Sequence, residues 1–349
     1  MTATIRDIAD QAGVSTGTVS RVLNAEKGVD RVLRERVVAA ADQLGYIRRR
    51  RTPSATTEIG FFLVVRDVEE SRTRVGQFWA DILFSVESSG RTRGASLVFR
   101  ALHNLEAAPG SVLEQIADLK VNAAFLVGPA PVETVRALRE TGMTVVLVDN
   151  AFAGWEGSAV LSDDFGGAQL AVQHLVAAGH TKIAFIGGPT LHGIPGTNSI
   201  HSIARRALGY REALTERGLT YNPLIVETSD LTPAGGQQAM ARLLDSGGAF
   251  TAVIAANDPT AVGVLQELAQ RDIEVPAAVS VVGFDDHPPT NPLLPLTTVF
   301  VDTDAMGVTA VRLMTDALGD SPPPAVTATL PVRLIERSSS GRVNPLGPA

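Results

Sequence analysis

Cysteine is absent from all 349 residues. A disulfide scaffold, a cysteine-based zinc site and a thiol nucleophile are therefore excluded, and the composition fits a reducing compartment. No apolar run approaches the roughly 18 residues of a membrane span. The N-terminus carries Arg6, Asp7 and Asp10 where a secretory leader needs an unbroken apolar stretch. These features predict a soluble, cytoplasmic protein with no membrane partner. Catalytic signatures are missing too. His103, His174, His180, His192, His201 and His287 show no H-E-x-x-H or other metal spacing. There is no Walker A motif, and no G-x-G-x-x-G follows a strand; Gly187-Gly188-Pro189 reads as a loop at a strand end. Asp163-Asp164 and Asp285-Asp286 have the composition of a metal pair but no histidine partner. No cofactor and no enzymatic activity are expected.

What is present is material for large cores. Hydrophobic residues make up 45% and charged residues 19%, which argues against disorder. The length suits two or three domains rather than one. The net charge of -7 conceals an asymmetry. Residues 1–51 hold 10 Lys and Arg against 6 Asp and Glu, whereas the remainder holds 20 against 31. Arg48, Arg49, Arg50 and Arg51 are consecutive. A basic head on an acidic body points to a head that alone meets a polyanion; a solvated charge run before a linker has the same composition.

Three helical patterns occupy the head. Ile5, Ile8, Ala9 and Ala12 fall at i, i+3, i+4 and i+7 behind a Thr4/Asp7 capping box, and the pattern stops at Gly13-Val14. Ser15 caps a second helix from Thr16 to about Asn24, with Val19, Val22 and Leu23 as its buried stripe. A third runs from about Asp30 to Leu44, with Leu33, Val37, Ala40 and Leu44 inward and Gly45 as a stop. Two helices about a Gly-containing turn, backed by a third, form a helix-turn-helix. A ligand-free three-helix bundle has the same periodicity. In the helix-turn-helix reading, the start of the second helix meets base edges in the major groove. Thr16, Gly17 and Thr18 occupy that start, and Ser20 and Arg21 follow one turn on. Arg21 suits a guanine edge and Thr16 a base edge or thymine methyl; Thr18 and Ser20 suit phosphates. Gly13-Val14-Ser15-Thr16-Gly17 also matches the G-x-S-x-G nucleophile elbow, but a helix rather than a strand precedes it and Ser15 is a natural cap.

The body beyond residue 58 alternates short apolar runs with amphipathic stretches. Strands are expected at Ile59–Val65, Ser96–Phe99, Ala123–Val127, Thr144–Val148, Lys182–Ile186, Leu224–Val226, Ala252–Ala255 and Val279–Gly283. Helices are expected at Phe78–Ser89, Phe165–Ala178, Arg205–Arg217, Gly236–Leu244 and Pro259–Arg271. Such alternation predicts an α/β fold of two Rossmann-like lobes with parallel sheets. Ligands bind beyond the carboxyl ends of such strands, where Asp149-Asn150, Asn257-Asp258 and Asp285-Asp286 stand. Each pair has the alternative role of a turn former.

Ile5-Arg6-Asp7-Ile8-Ala9, Ala12-Gly13-Val14-Ser15, Thr18-Val19-Ser20-Arg21-Val22-Leu23-Asn24 and Leu44-Gly45-Tyr46 closely resemble the head of the LacI/GalR repressor family. Phe185-Ile186-Gly187-Gly188-Pro189, Arg206-Ala207-Leu208-Gly209-Tyr210, Ala256-Asn257-Asp258, Val281-Val282-Gly283-Phe284-Asp285-Asp286 and Pro295-Leu296-Thr297-Thr298-Val299 resemble its body, so the likeness spans nearly the whole chain. The resemblance implies a periplasmic-binding-protein-like (type I) body and a homodimeric regulator, usually a repressor. It implies a palindromic double-stranded DNA operator, with one head per half-site, and a small-molecule effector, most often a sugar, between the lobes. It places Thr16, Gly17 and Arg21 at operator bases, with Thr18, Ser20 and Asn24 beside them; Gly17 has no side chain, so one usual specificity contact is missing. It places Arg206, Asn257 and Asp285 on the effector, with Asp149, Leu231, Phe78 and Trp79 lining the cleft. A helix packing face is the other role for Phe78 and Trp79. Carboxylates, an amide, a guanidinium and an aromatic face together suit a polyol.

The expected division is a head at 1–47, a linker at 48–58, a two-lobed body at 59–340 and a flexible tail at 341–349. The N-lobe is expected at 59–160 plus 291–320, and the C-lobe at 161–290 plus 321–340. Three stretches depart from the family. Its linker carries a hinge helix whose Leu wedges into the minor groove; this one is shorter, lacks Leu, and contains Pro53 and three Thr. Val65 to Gln77 is unusually charged, and Thr190 to Ala204 is longer than usual. A solute-binding protein would need an export signal and no helix-turn-helix, and an enzyme on this scaffold would need a catalytic motif at a strand end. Two readings of Arg48–Arg51 remain: an arm in the minor groove, or a track along phosphates. Replacing all four by Ala is expected to flatten the plot of log affinity for DNA against log salt. An identical slope would remove these residues from the DNA interface.

Overall fold

The helical periodicity of the head has a common core to serve. A computed structural model describes residues 5–23, 30–44, 57–65, 76–105, 108–189, 200–286 and 295–343, within two compact units, Met1–Ala55 and Thr56–Ala349. The first unit contains α1 (Ile5–Ala12), α2 (Thr16–Leu23) and α3 (Arg31–Gln43). Ile8, Ala9, Ala12, Val19, Val22, Val37, Ala40 and Ala41 form their shared core. Leu33 and Leu44, expected inward, are only half-buried. Gly13 makes the turn between α1 and α2 at φ +63°, where an L side chain is strained. Arg36 donates to the Ala12 carbonyl, one of the acceptors that α1 leaves without an intrahelical partner. Thr4, Asn24, Gly45 and Arg48–Arg51 lie outside the described residues, as do the side chains of Ile5, Ser20, Arg21 and Leu23.

The second unit begins with β1 (Thr57–Val65), α4 (Gln77–Thr92), β2 (Ala95–His103), the single turn α5 (Val112–Gln115), β3 (Ala123–Val127), α6 (Val132–Glu140), β4 (Thr144–Val148) and β5 (Ala159–Ser162). There follow α7 (Asp164–Ala177), β6 (Ile183–Gly187), α8 (His201–Glu216), β7 (Val226–Thr228), α9 (Pro233–Asp245), β8 (Ala252–Ala255), α10 (Asp258–Gln270) and β9 (Ser280–Asp285). The last elements are β10 (Thr297–Phe300), α11 (Thr303–Ala317), β11 (Thr327–Leu330) and β12 (Arg333–Ile335).

Two six-stranded sheets result, ordered β11-β5-β4-β3-β1-β2 and β12-β10-β9-β8-β6-β7. Among the described pairings only β10 with β12 is antiparallel. Strands such as β3 and β9 are buried along their whole length, as a parallel sheet covered on both faces requires. Glycine permits the closest helix contact: a Cβ on Gly236 of α9 or Gly263 of α10 would strike the backbone of the opposite helix.

Two expected lobe assignments are corrected by strand pairing. Residues 291–320 were expected in the N-lobe; α11 packs there, against α4 and β4, but β10 pairs with β9 and so belongs to the second sheet. Residues 321–340 were expected in the C-lobe; β12 pairs there with β10, but β11 pairs with β5 of the first sheet. The chain therefore crosses between the sheets three times, after β5, after β10 and after β11. The expected strand at Leu224–Val226 begins later, at Val226, because Asn222 caps a 3-10 turn over Pro223–Ile225.

The expected flexible tail is also corrected at its start. The Val343 N–H donates to the Ala178 carbonyl at 2.9 Å, and the Gly341 N–H to Ser280 Oγ at 3.1 Å. His180 is the anchor. Its Nε2 lies 3.0 Å from the Gly341 carbonyl, which only accepts, so Nε2 carries the proton and Nδ1 accepts from Thr251 Oγ1 at 2.8 Å. Burial, opposed in part by the Gly341 bond, lowers the His180 pKa. The unfolded chain then binds a proton that the folded one resists, so this contribution to stability is complete above the ordinary value of about 6.5 and is lost as pH falls below it. His180→Gln is expected to lose less melting temperature than the wild type between about pH 7.5 and pH 5.5. Parallel losses in the two proteins would rule out His180 as the titrating group.

Candidate functional site

Helix α8 buries Ser202, Ile203, Arg206, Gly209 and Tyr210 along one stripe. The spacing i, i+1, i+4, i+7, i+8 is that of an apolar helix face, and an arginine stands in the middle of it. Arg206 is only 3% exposed. A guanidinium buried without partners would cost several kcal/mol, and three acceptors meet it. Nε donates to Asp164 Oδ1 at 2.8 Å, Nη2 to Asp285 Oδ1 at 3.0 Å, and Nη1 to the Ala256 carbonyl. The guanidinium carbon also lies 3.6 Å from the centroid of the Phe284 ring. Burial opposes the charge, but Asp285, Asp164 and Asp149 outweigh it and hold the Arg206 pKa above the ordinary arginine value.

Each acceptor comes from the carboxyl end of a strand: Asp164 just after β5, Ala256 just after β8, and Asp285 at the end of β9. Asp285 takes φ +106°. Asp149 follows β4, the sheet neighbour of β5, at φ +55° and is 4% exposed. Left-handed conformations at non-glycine residues store strain and gather at functional sites. Ser202 Oγ donates to Asp149 Oδ2 at 3.4 Å, so this contact joins the two lobes. Asp149 Oδ1 is buried and has no hydrogen-bond partner. Burial, then the Asp164 and Asp285 carboxylates, push the Asp149 pKa up, against the opposing pull of Arg206.

The expected site residues divide into three groups. Asp149, Arg206 and Asp285 come together. Leu231, at φ +69°, and Asn257 frame this cluster: Asn257 Nδ2 donates to the Leu231 carbonyl at 3.1 Å, and its Oδ1 caps α10 at the Thr260 N–H. Phe78 and Trp79 meet edge to face, with ring centroids 4.8 Å apart, and both pack against the core at the N-terminus of α4. The Trp79 ring lies over Gly128, whose N–H donates to the Val148 carbonyl, one residue before Asp149. The packing role of this pair is therefore directly visible, at the same sheet end as the cluster.

The polar pairs at the strand ends split. Asn150 donates to the Ala130 carbonyl at 3.0 Å, Asp258 accepts from Thr298 Oγ1 at 2.6 Å, and Asp286 pairs with Arg337 at 2.6 Å. The second member of each pair thus has a structural partner. Sequence reasoning missed Asp164, Ser202 and Phe284. The doublet Asp163-Asp164 was the available signal, but only Asp163 acts as a cap, accepting from the Gly166 N–H at 2.9 Å. Among the described residues, no group of three or more His, Asp or Glu could hold a metal ion, and no helix is long and apolar enough to cross a membrane.

In the head, Thr16 and Gly17 are exposed at the start of α2. The Thr18 hydroxyl lies 3.0 Å from Ser15 Oγ, which also accepts from the Thr18 N–H at 3.1 Å. Ser15 is thus a helix cap, as the sequence indicates.

Comparison with known proteins adds independent findings. Residues 4–49 match the model for bacterial regulatory proteins of the lacI family, and residues 172–340 match a periplasmic binding protein-like domain. The HTH-type transcriptional regulator GalR of Escherichia coli (strain K12) is 32% identical over 347 residues, covering 97% of this chain and 95% of that protein. A solved structure described as a transcriptional regulator CelR-cellobiose complex superposes with a TM-score of 0.71 at 29% identity, covering 97% of this chain and 99% of that one. The lac repressor dimer bound to operator and the anti-inducer ONPF gives a TM-score of 0.69 at 26% identity, covering 98% of this chain and all (100%) of that one.

Asp149 is neutral more readily in the folded than in the unfolded chain. Its ionisation therefore costs stability as pH rises from about 3.9 toward the raised folded value. Asp149→Asn has no such proton to lose. Its melting temperature is expected to gain on the wild type between about pH 4.5 and pH 8, by roughly 2–4 °C for each kcal/mol recovered. A constant difference across that range would mean that Asp149 does not titrate with a raised pKa.

Proposed function

The chain belongs to the lacI family of bacterial regulatory proteins, and we propose that it is a cytoplasmic, homodimeric repressor whose hold on operator DNA is set by a sugar bound between its lobes. The observation that carries the effector reading is the buried, unpartnered Asp149 Oδ1, which belongs to one lobe and sits beside the Arg206 cluster of the other. A buried carboxyl oxygen without a partner is costly in either protonation state, and a sugar hydroxyl, which both donates and accepts, supplies the partner. Arg206, Asp285, Asn257 and Leu231 form the second-lobe side of the proposed site, with Phe78 and Trp79 offering apolar surface at the first-lobe side. Relatives described as bound to cellobiose and to operator support both halves of the reading. They are regulators, and no catalytic role is assigned to any residue.

In this proposal residues 1–47 read DNA. Thr16, Gly17 and Arg21 face base edges, Thr18, Ser20 and Asn24 flank them, and residues 48–58 form the basic linker. Residues 59–340 sense the effector and dimerise. A ligand that touches Asp149 on one lobe and the Arg206 cluster on the other favours one relative placement of the lobes. It thereby shifts the population competent for DNA by its differential affinity.

The test begins with an operator selected from a random DNA pool by the full-length chain. Its half-sites are expected to be related by two-fold symmetry. Cellobiose, D-galactose, D-ribose and maltose are then added while operator binding is followed by fluorescence anisotropy. At least one sugar is expected to change operator affinity by tenfold or more, which is about 1.4 kcal/mol of coupling. Arg206→Ala should bind the operator yet ignore the sugar. Sugar response retained in that variant would sink the assignment of the cleft.

A further inference from the structure

A buried arginine in a cleft is by itself the natural receptor for a phosphate or carboxylate, because its planar fork matches two oxygens. Arg206 is committed elsewhere. Nε and Nη2 donate to Asp164 and Asp285, Nη1 donates to the Ala256 carbonyl, and Phe284 covers one face. Of the five N–H groups a guanidinium offers, two remain. Opposite stands a third buried carboxyl group, Asp149, with one oxygen unpartnered. One positive charge thus stands among three carboxyl groups, so the pocket holds excess negative charge even with a proton on Asp149. Burial lowers the His201 pKa, and Arg205 lies over the Phe165 ring with its guanidinium carbon 4.7 Å from the centroid.

Building on the effector site proposed above, we infer that the effector carries no phosphate or carboxylate: it is an unphosphorylated sugar whose hydroxyl pairs with Asp149 Oδ1, and the Asp164 and Asp285 carboxylates that neutralise Arg206 set this specificity. Low-dielectric surroundings magnify a like-charge contact, and an entering anion would find the guanidinium already neutralised. A hydroxyl meets no such penalty. It pairs with Asp149 and can accept from a remaining Arg206 N–H. Asp164 engages Nε and Asp285 engages Nη2, so each carboxylate takes part of the guanidinium charge. An asparagine at position 164 keeps an oxygen for Nε and removes one negative charge, so it alters charge with little change of shape.

The experiment titrates the full-length chain calorimetrically with matched pairs: D-glucose and D-glucose 6-phosphate, D-galactose and D-galactose 6-phosphate, D-ribose and D-ribose 5-phosphate, trehalose and trehalose 6-phosphate. A free sugar is expected to bind, with its phosphorylated partner weaker by about tenfold or more. Asp164→Asn is expected to narrow that gap by strengthening the phosphorylated member. If Asp164→Asn does not fold, Asp285→Asn removes the other carboxylate charge on the same guanidinium, with the same expectation. A phosphorylated sugar that binds as tightly as its free partner overturns the inference and leaves the carbohydrate reading standing. A gap unchanged in the variant overturns the role of Asp164. If neither member of any pair binds, the carbohydrate reading fails and the inference falls with it.

Discussion

The body is organised around one buried guanidinium. Arg206 has to be placed inside an otherwise apolar helix face, and its charge is tolerable only because the ends of three strands converge on it. That requirement fixes several features at once. Helix α8 must present the stripe that includes Ser202 and Arg206, β9 must end in a residue that accepts φ +106°, and α7 must begin with an acid that points inward. An apolar residue at position 206 would pack more easily and would leave Asp164 and Asp285 as uncompensated buried charges. The cluster therefore trades local stability for a polar surface of defined geometry.

Where the cluster sits follows from the path of the chain. Asp164 comes two residues after the last residue of β5, at the first of the three crossings between sheets. Ser162, the end of β5, donates to Asp164 Oδ2 at 3.1 Å. One carboxylate thus grips the arginine with one oxygen and the crossing with the other. Asp149 reaches the same region from β4, the neighbour of β5. A ligand bound at the proposed site would touch both lobes and the segment that joins them.

Much of this was legible in the sequence, and the reasons differ by element. The head was readable because its helices are amphipathic at a period of 3.6 and because Ser15 caps by a local hydrogen bond. Five-residue apolar runs such as Ala123–Val127 and Thr144–Val148 gave strands to the residue, since only a buried parallel strand makes sense of such runs. The strands β5, β10, β11 and β12 were missed: each is only three or four residues long, and pairing rather than propensity holds them. The lobe membership of β10 and β11 could not be read at all, because which sheet a short strand joins is a contact between distant residues.

The amino-acid order by itself determined the helix-turn-helix head, the alternating α/β body, the family and the polar residues at the strand ends. Local periodicity, capping and motif wording depend on neighbours a few positions apart, and those are written in the sequence. Tertiary structure alone decided which member of each polar pair is taken up by a structural partner. Asn150, Asp258 and Asp286 were consumed by Ala130, Thr298 and Arg337, whereas Asp285 met Arg206 together with the unforeseen Asp164, and Asp149 met Ser202, one helical turn before Arg206. Their partners lie from 20 to 79 positions away, apart from the short reach to Ser162. No local pattern records such distances, because only the packing of two sheets brings those side chains within hydrogen-bonding range.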